Sequence, residues 1–303
     1  MFKKILLDWN PGHDAKLLGH VLEFARKAEG DLTVVTTLEQ PTKSILGYFS
    51  SRGEDLKEMI VDDYNQNLDS ALEQNGLERH EVRTELRWGK EFIEAIKMVQ
   101  EEKSDLLICP TQKEGEPPDS TAMHFLRKCP CPVWIHQGHL WRGAVRILAA
   151  VGGSDAADSD ETLDRRILQH AARLSEILRG RLHVLHCWQG YLESIASSSP
   201  RFSTPETSKY IEYAREESEE RFKSILESVP LPETARQAVV HGDPGTVIPK
   251  YAREHRMDIV VMGSVARSGI PGLLIGNTAE RIISGLNCSI LAIKPEGFVS
   301  PVR

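Results

Sequence analysis

The chain is written twice. Ile5-Leu6-Leu7-Asp8-Trp9-Asn10 recurs as Ile147-Leu148-Ala149-Ala150-Val151-Gly152, and Ser104-Asp105-Leu106-Leu107-Ile108-Cys109-Pro110 recurs as Met257-Asp258-Ile259-Val260-Val261-Met262-Gly263. Arg127-Lys128-Cys129-Pro130-Cys131-Pro132-Val133 recurs as Gly285-Leu286-Asn287-Cys288-Ser289-Ile290. A repeat this long is a duplicated domain rather than a solenoid. The 303 residues therefore divide into two domains, 1–138 and 144–303, each large enough for its own core. The join, Gln137-Gly138-His139-Leu140-Trp141-Arg142-Gly143, is short and glycine-punctuated, which favours packing of the two domains over free tethering.

Within each copy, β-rich runs alternate with amphipathic stretches, the pattern of a parallel sheet with helices on both faces. Strands are expected near 3–8, 31–38, 79–87, 104–109 and 131–137, then near 145–151, 181–188, 235–241, 257–263 and 288–294. Helices are expected near 13–29, 54–75, 90–102 and 120–128, then near 161–179, 207–228, 245–256 and 277–286. In the helix at 161–179, Leu163, Ile167, Leu168, Ala171, Leu174, Ser175 and Leu178 make one stripe, with Asp164, Arg165, Arg173 and Glu176 assigned to the polar face. Leu106-Leu107-Ile108 and Ile259-Val260-Val261-Met262 lack alternation, as central strands do when covered on both sides. Residues 190–206 and 114–119 read as loops.

A net charge of −7 argues against a broad nucleic-acid surface, which needs many cationic phosphate contacts. No run of about 18 apolar residues exists to span a bilayer. The start meets Asp8 too early for a secretory core, so a cytoplasmic protein is expected. Five cysteines without a C-x-x-C pair disfavour a disulfide framework, and Cys131 and Cys288 are read as buried starts of equivalent strands. His183 and His186, three apart on a strand, point to opposite faces and cannot chelate one metal. His136 and His139 have no ligand-spaced partner, and Asp155, Asp158, Asp160 and Glu161 are assigned to the start of a helix, where acids meet its dipole. No catalytic Ser-His-Asp order is legible, and the tryptophans are too scattered for a stacking platform.

One segment carries chemistry. Gly263-Ser264-Val265-Ala266-Arg267-Ser268-Gly269-Ile270-Pro271-Gly272-Leu273-Leu274-Ile275-Gly276-Asn277-Thr278 leaves the carboxyl end of a buried parallel strand and ends where a helix begins. Open α/β sheets bind ligands there. Gly263 lets the backbone turn out of the sheet, Gly276 removes a side chain where a ligand approaches, and Asn277 or Thr278 caps the helix. Outward N–H groups and the helix dipole suit a phosphate, and Arg267 could pair with one. The same residues also fit a plain glycine-rich turn. Neither a Walker loop nor a dinucleotide G-x-G-x-x-G is present.

Here the chain resembles the universal stress protein family, its tandem two-domain UspE-like members in particular. Nucleotide-binding members carry glycine, two residues, glycine, nine residues, then glycine followed by serine or threonine. The frame stands here as Gly263, Ala266, Gly276 and Asn277, with Thr278 behind. Val261-Met262-Gly263-Ser264, Ala279-Glu280-Arg281-Ile282 and Leu291-Ala292-Ile293-Lys294-Pro295 also look like the family. The resemblance implies two tandem, open, Rossmann-like parallel-sheet domains of the adenine nucleotide alpha hydrolase type, five strands each. It implies one ATP site in the second domain, with Mg²⁺ or Mn²⁺ bridging phosphates. Phosphates would rest on Gly263, Ala266, Arg267, Gly276, Asn277 and Thr278, and adenine would lie toward Val151, Gly152 and Cys187. Gly152 stands where the family usually has an acid, with Asp155 as a stand-in, and Gly242-Asp243-Pro244-Gly245 resembles a pocket-shaping turn.

The first copy departs further. From Asp105 to Cys131 is 26 positions against 30 from Asp258 to Cys288, Pro110 replaces Gly263, and Gly115 is the segment's one glycine. Proline removes an N–H that a phosphate could use, so this copy is not expected to bind nucleotide. The reading is a stress-response regulatory protein with no nameable general base, at most hydrolysing ATP slowly. The alternative is a nucleotide-independent interaction or dimerisation module, holding a small apolar ligand. In either, the last strands, Cys131 to Ile135 and Cys288 to Ile293, are expected to pair internally, and the family also forms homodimers.

Overall fold

In a computed structural model, the chain divides into two compact units, Met1–Leu140 with Val299–Arg303, and Trp141–Phe298. The structure describes residues 1–10, 12–51, 55–111, 117–138, 141, 143–152, 159–190, 204–264 and 275–303. Among these, no helix is long and apolar enough to cross a membrane.

The first unit runs β1 (Lys4–Asp8), α1 (Ala15–Ala28), β2 (Asp31–Leu38), α2 (Lys43–Ser50), α3 (Leu56–Gln74), β3 (Arg83–Trp88), α4 (Glu91–Glu102), β4 (Leu106–Pro110), α5 (Ser120–Lys128) and β5 (Val133–His136). Its five strands are all parallel, in the order β3-β2-β1-β4-β5. The second unit runs β6 (Arg146–Val151), α6 (Ser159–Ile177), β7 (Arg181–Trp188), α7 (Thr204–Glu227), β8 (Arg236–His241), α8 (Pro244–Glu254), β9 (Ile259–Gly263), α9 (Asn277–Gly285) and β10 (Ser289–Ile293). Its order, β10-β9-β6-β7-β8, is the same.

Right-handed crossovers follow from that order. The chain moves one way from β6 to β8 and the other way from β9 to β10, so α6 packs with α7 on one face and α8 with α9 on the other. The strand order reverses between β6 and β9, which opens a crevice at their carboxyl ends. Strands β4, β5 and β10 are buried along their whole length.

Register confirms the repeat residue by residue. Ile5 pairs with Leu106 as Ile147 pairs with Ile259, and Pro110 closes β4 opposite His136 as Gly263 closes β9 opposite Ile293. At the other end of the sheet, the Asp105 carboxylate accepts the backbone N–H groups of Lys3 and Lys4 at 3.0 and 2.9 Å. Asp258 does the same for Arg146 N at 2.7 Å and also holds its guanidinium.

The structure corrects the expected elements in three places. The strand expected from 79 begins at Arg83, because Arg79–Glu81 form a 3₁₀ turn tied by the Glu81 carboxylate to Glu78 N. Helix α2 was not among the expected elements, and none of its residues is buried. Helix α7 starts at Thr204, inside the segment read as a loop. Cys131 is buried as expected, whereas Cys288 is only half-buried.

Candidate functional site

The crevice at the carboxyl ends of β6, β7 and β9 is a cleft of about 710 Å³. Its floor is Val151 and Gly152, Cys187 and Trp188, and Met262 and Gly263; its walls are α6, α7, the start of α8 and the start of α9. Of the residues singled out from the sequence, Val151, Gly152, Cys187, Gly263, Gly276, Asn277 and Thr278 all line it. Ala266, Arg267, Asp155, Asp158 and Gly115 lie outside the described residues.

The start of α9 differs from expectation. Gly276, not Asn277 or Thr278, is the N-cap, and among the described residues no side chain caps the first turn. A helix start leaves its first N–H groups without helical partners, and here they open on the cleft under the positive end of the dipole. Gly276 has φ −62° and ψ 142°, angles open to any residue, so the backbone does not demand glycine. What glycine does is leave the cap empty.

Gly263 ends β9 rather than turning out of it, since it still pairs with Ile293. A Cβ there would stand 3.0 Å from Leu163, so its bareness serves the packing of α6. The next residue, Ser264, is buried and accepts a 2.9 Å hydrogen bond from the buried Lys294 ammonium, which also lies 4.9 Å from the Phe298 ring. Beside the cleft, Arg281 makes a two-pronged pair with Asp243, at 3.1 and 2.8 Å, joining the start of α8 to α9.

The sequence reading placed Asp164 on a solvated face. It is only 4% exposed, and its Oδ1 accepts the Gly152 N–H at 3.0 Å. Asp164 stands four residues before Leu168 and seven before Ala171, so it belongs to the buried stripe. Its charge, not its spacing, had hidden it. Position 152 thus carries no acid, and the carboxylate that touches its backbone comes from α6.

Gly152 also explains its own identity. With φ +82°, it occupies the left-handed region, and a Cβ there would lie 1.7 Å from His186 Nδ1. No side chain fits beside that histidine. His186 is itself 4% exposed, with Nδ1 3.3 Å from Val151 O, Nε2 2.7 Å from Ser218 Oγ, and its ring stacked on Phe222. Burial pushes its pKa down, the Val151 carbonyl opposes that, and Arg221 adds to it. His183 faces the other way, onto Tyr251 of α8, as strand alternation demands. Cys187 is a neutral contact, its thiol pushed up to about 12 by burial and then by Asp243.

The equivalent rim of the first unit is built from carboxylates. Asp8 is buried and Oδ1 has no hydrogen-bond partner among the described residues. Its pKa is held well above the usual range by burial, then by Glu91 and Asp119. Glu91 accepts from Asn10 Nδ2 at 2.6 Å and Thr121 Oγ1 at 3.1 Å. Asp119 caps α5, accepting Ala122 N at 2.8 Å.

Two five-stranded parallel units of this order, the second with a cleft at its strand ends, define a tandem nucleotide-hydrolase-like α/β protein. The Universal stress protein family model matches residues 1–137 and again 145–294, and the chain belongs to that family, carrying its domain twice. It is similar to the Universal stress protein E homolog of Haemophilus influenzae, at 26% identity over 97% of this chain and 98% of that one. It is also similar to Universal stress protein E of Escherichia coli K12, at 31% identity over 60% of this chain and 57% of that one. A putative universal stress protein of Pseudomonas aeruginosa shares the fold at a TM-score of 0.66 and 22% identity, covering 98% of this chain and 95% of that one.

Proposed function

We propose that the second unit is a sensor for an adenine nucleotide, ATP above all, and that the protein serves a regulatory role in the stress response, in the cytoplasm, rather than a metabolic one. The observation that carries this is the uncapped start of α9 opening on a 710 Å³ cleft. Phosphates would take the N–H groups at Asn277 and Thr278 beside Gly263 and Gly276, with the 266–267 segment completing the cradle. The adenine would lie toward Val151, Gly152 and Cys187, where the wall is apolar and the thiol stays protonated. Asp164 takes the place of the family's acid near the ribose, already oriented by Gly152 N.

Among the described residues, no group of His, Cys, Asp and Glu could hold a metal. Asp243, at the start of α8, is committed to Arg281. Mg²⁺ or Mn²⁺ would therefore arrive on the nucleotide's own phosphates.

The test is direct. Denature purified protein, identify what is released, then titrate the emptied protein with ATP by calorimetry. Saturable binding that is lost in Gly276→Trp and unaffected by Pro110→Gly supports the reading. No binding at millimolar ATP overturns it, and an apolar molecule in the extract would favour the interaction-module alternative.

A further inference from the structure

Serine hydroxyls in helices usually bond back to their own backbone. Here Ser70 donates to Gln66 O at 2.8 Å and Ser175 to Ala172 O at 2.7 Å. Ser218, in the middle of α7, bonds instead to a histidine on the opposing strand, His186 Nε2, at 2.7 Å. The direction of that bond follows from the other ring nitrogen. Val151 O carries no proton, so Nδ1 must donate to it, which leaves Nε2 with a lone pair and Ser218 as the donor.

This is a nucleophile paired with a base, and the base is oriented by a third group. Phe222, 5.5 Å away and only 12° from parallel, fixes the imidazole plane. Neither ring nitrogen is engaged by a carboxylate, and burial keeps the ring neutral, so the lone pair is present at neutral pH. Both residues line the cleft. Arg221 follows Ser218 by three residues, hence lies on the same side of α7, lines the same cleft and forms no ion pair among the described residues.

We propose that Ser218 is an acyl-accepting nucleophile activated by His186, and that the second unit cleaves carboxylic esters in this cleft. Ser218 Oγ adds to the ester carbonyl carbon as its proton passes to His186 Nε2, and the Arg221 guanidinium faces the developing oxyanion. Collapse breaks the bond to the ester oxygen, which leaves as the alcohol with the proton from His186. Water then attacks the acyl-serine, its proton passing through His186 to Ser218 Oγ, and the carboxylic acid departs. The apolar walls at Ile167, Trp188, Ile248 and Ile282 suit the acyl chain. None of this depends on nucleotide binding, and the ATP titration can succeed or fail separately.

The experiment treats the full chain with a fluorophosphonate probe, whose phosphorus takes the place of the carbonyl carbon and loses fluoride, and maps the adduct by mass spectrometry. The expected result is an adduct on Ser218, absent in Ser218→Ala and formed at least about 100-fold more slowly in His186→Gln. p-Nitrophenyl acetate hydrolysis should fall to the buffer rate in Ser218→Ala. No adduct on Ser218, or an undiminished rate in a His186→Gln protein with native circular dichroism, overturns the proposal. Should that variant fail to fold, the wild-type pH profile decides. A one-proton loss of labelling below 6.5, the ordinary histidine value, supports a His186 base; a flat profile through that range overturns it.

Discussion

Helices α5 and α9 occupy the same place in the two units, each entering after the fourth strand and leading to the fifth, yet they begin in opposite ways. α5 opens with Asp119, whose carboxylate takes the Ala122 N–H, and Asp8 and Glu91 stand behind it. α9 opens with Gly276 and no side chain at all, and Ala150 stands where Asp8 does. An anion seat at a helix start can be filled by the protein itself or left for a guest. The first unit fills its seat with Asp119, and among the described residues no side chain fills the second, on an otherwise equivalent frame.

Several substitutions would break that contrast. The largest effect is expected from Gly276→Asp, which gives α9 the cap of α5. Repulsion between a seated carboxylate and phosphate costs several kcal/mol, so ATP affinity by calorimetry should fall roughly 100-fold or more. Melting temperature should not fall with it, because aspartate caps at least as well as glycine.

Gly152→Ala comes next. A non-glycine residue at φ +82° costs about 1–3 kcal/mol from the backbone alone, and the new Cβ also collides with His186. Urea denaturation should report at least that loss. Alanine at the matching Asn10 should cost less, since it removes only a hydrogen bond to Glu91.

Asp8→Asn sharpens the comparison through pH. The unfolded chain releases the Asp8 proton above about 3.8 while the folded chain, with its raised pKa, holds it. The native state then binds more protons, so wild-type stability declines as pH rises through that window. The variant should melt higher than wild type at pH 7, and the gap should close as pH falls toward 3.8. A constant gap would show that Asp8 is ionised in the fold. The smallest effect is expected from Asp119→Ala, about 1 kcal/mol for a lost cap. It should add no second ATP site to the chain, because Asp8 and Glu91 remain in the first unit.

Much of this was legible in the sequence, and the exceptions have physical reasons. β4 and β9 announced themselves because strands covered on both faces are apolar without interruption. The repeat alone sets Asp105 against Asp258 and Pro110 against Gly263. α2 escaped because it is only eight residues long, too short for the spacing of Ile45, Leu46 and Phe49 to tell a helix from a strand or loop. At the cleft, the glycines and the strand-to-helix junction could be read locally. Asp164, His186, Ser218 and Arg221 could not, since α6, β7 and α7 meet only when folded. One signal was available: Asp164 lies on the period of its own stripe, where a charge asks for a partner.

The paired aspartates at the other end of the sheets carry a consequence for how the chain assembles. Asp105 bonds to Lys4 N across a separation of 101 residues, and Asp258 to Arg146 N across 112. Each is a register gauge: slide the central strand pair by one residue and the carboxylate loses both its partners and its reason to be near the core. During synthesis, β1 therefore has β2 as its only checked neighbour until about a hundred residues have emerged, and the same wait is repeated in the second half. Both halves keep this late proofreading step, although their rims at the carboxyl ends of the strands differ.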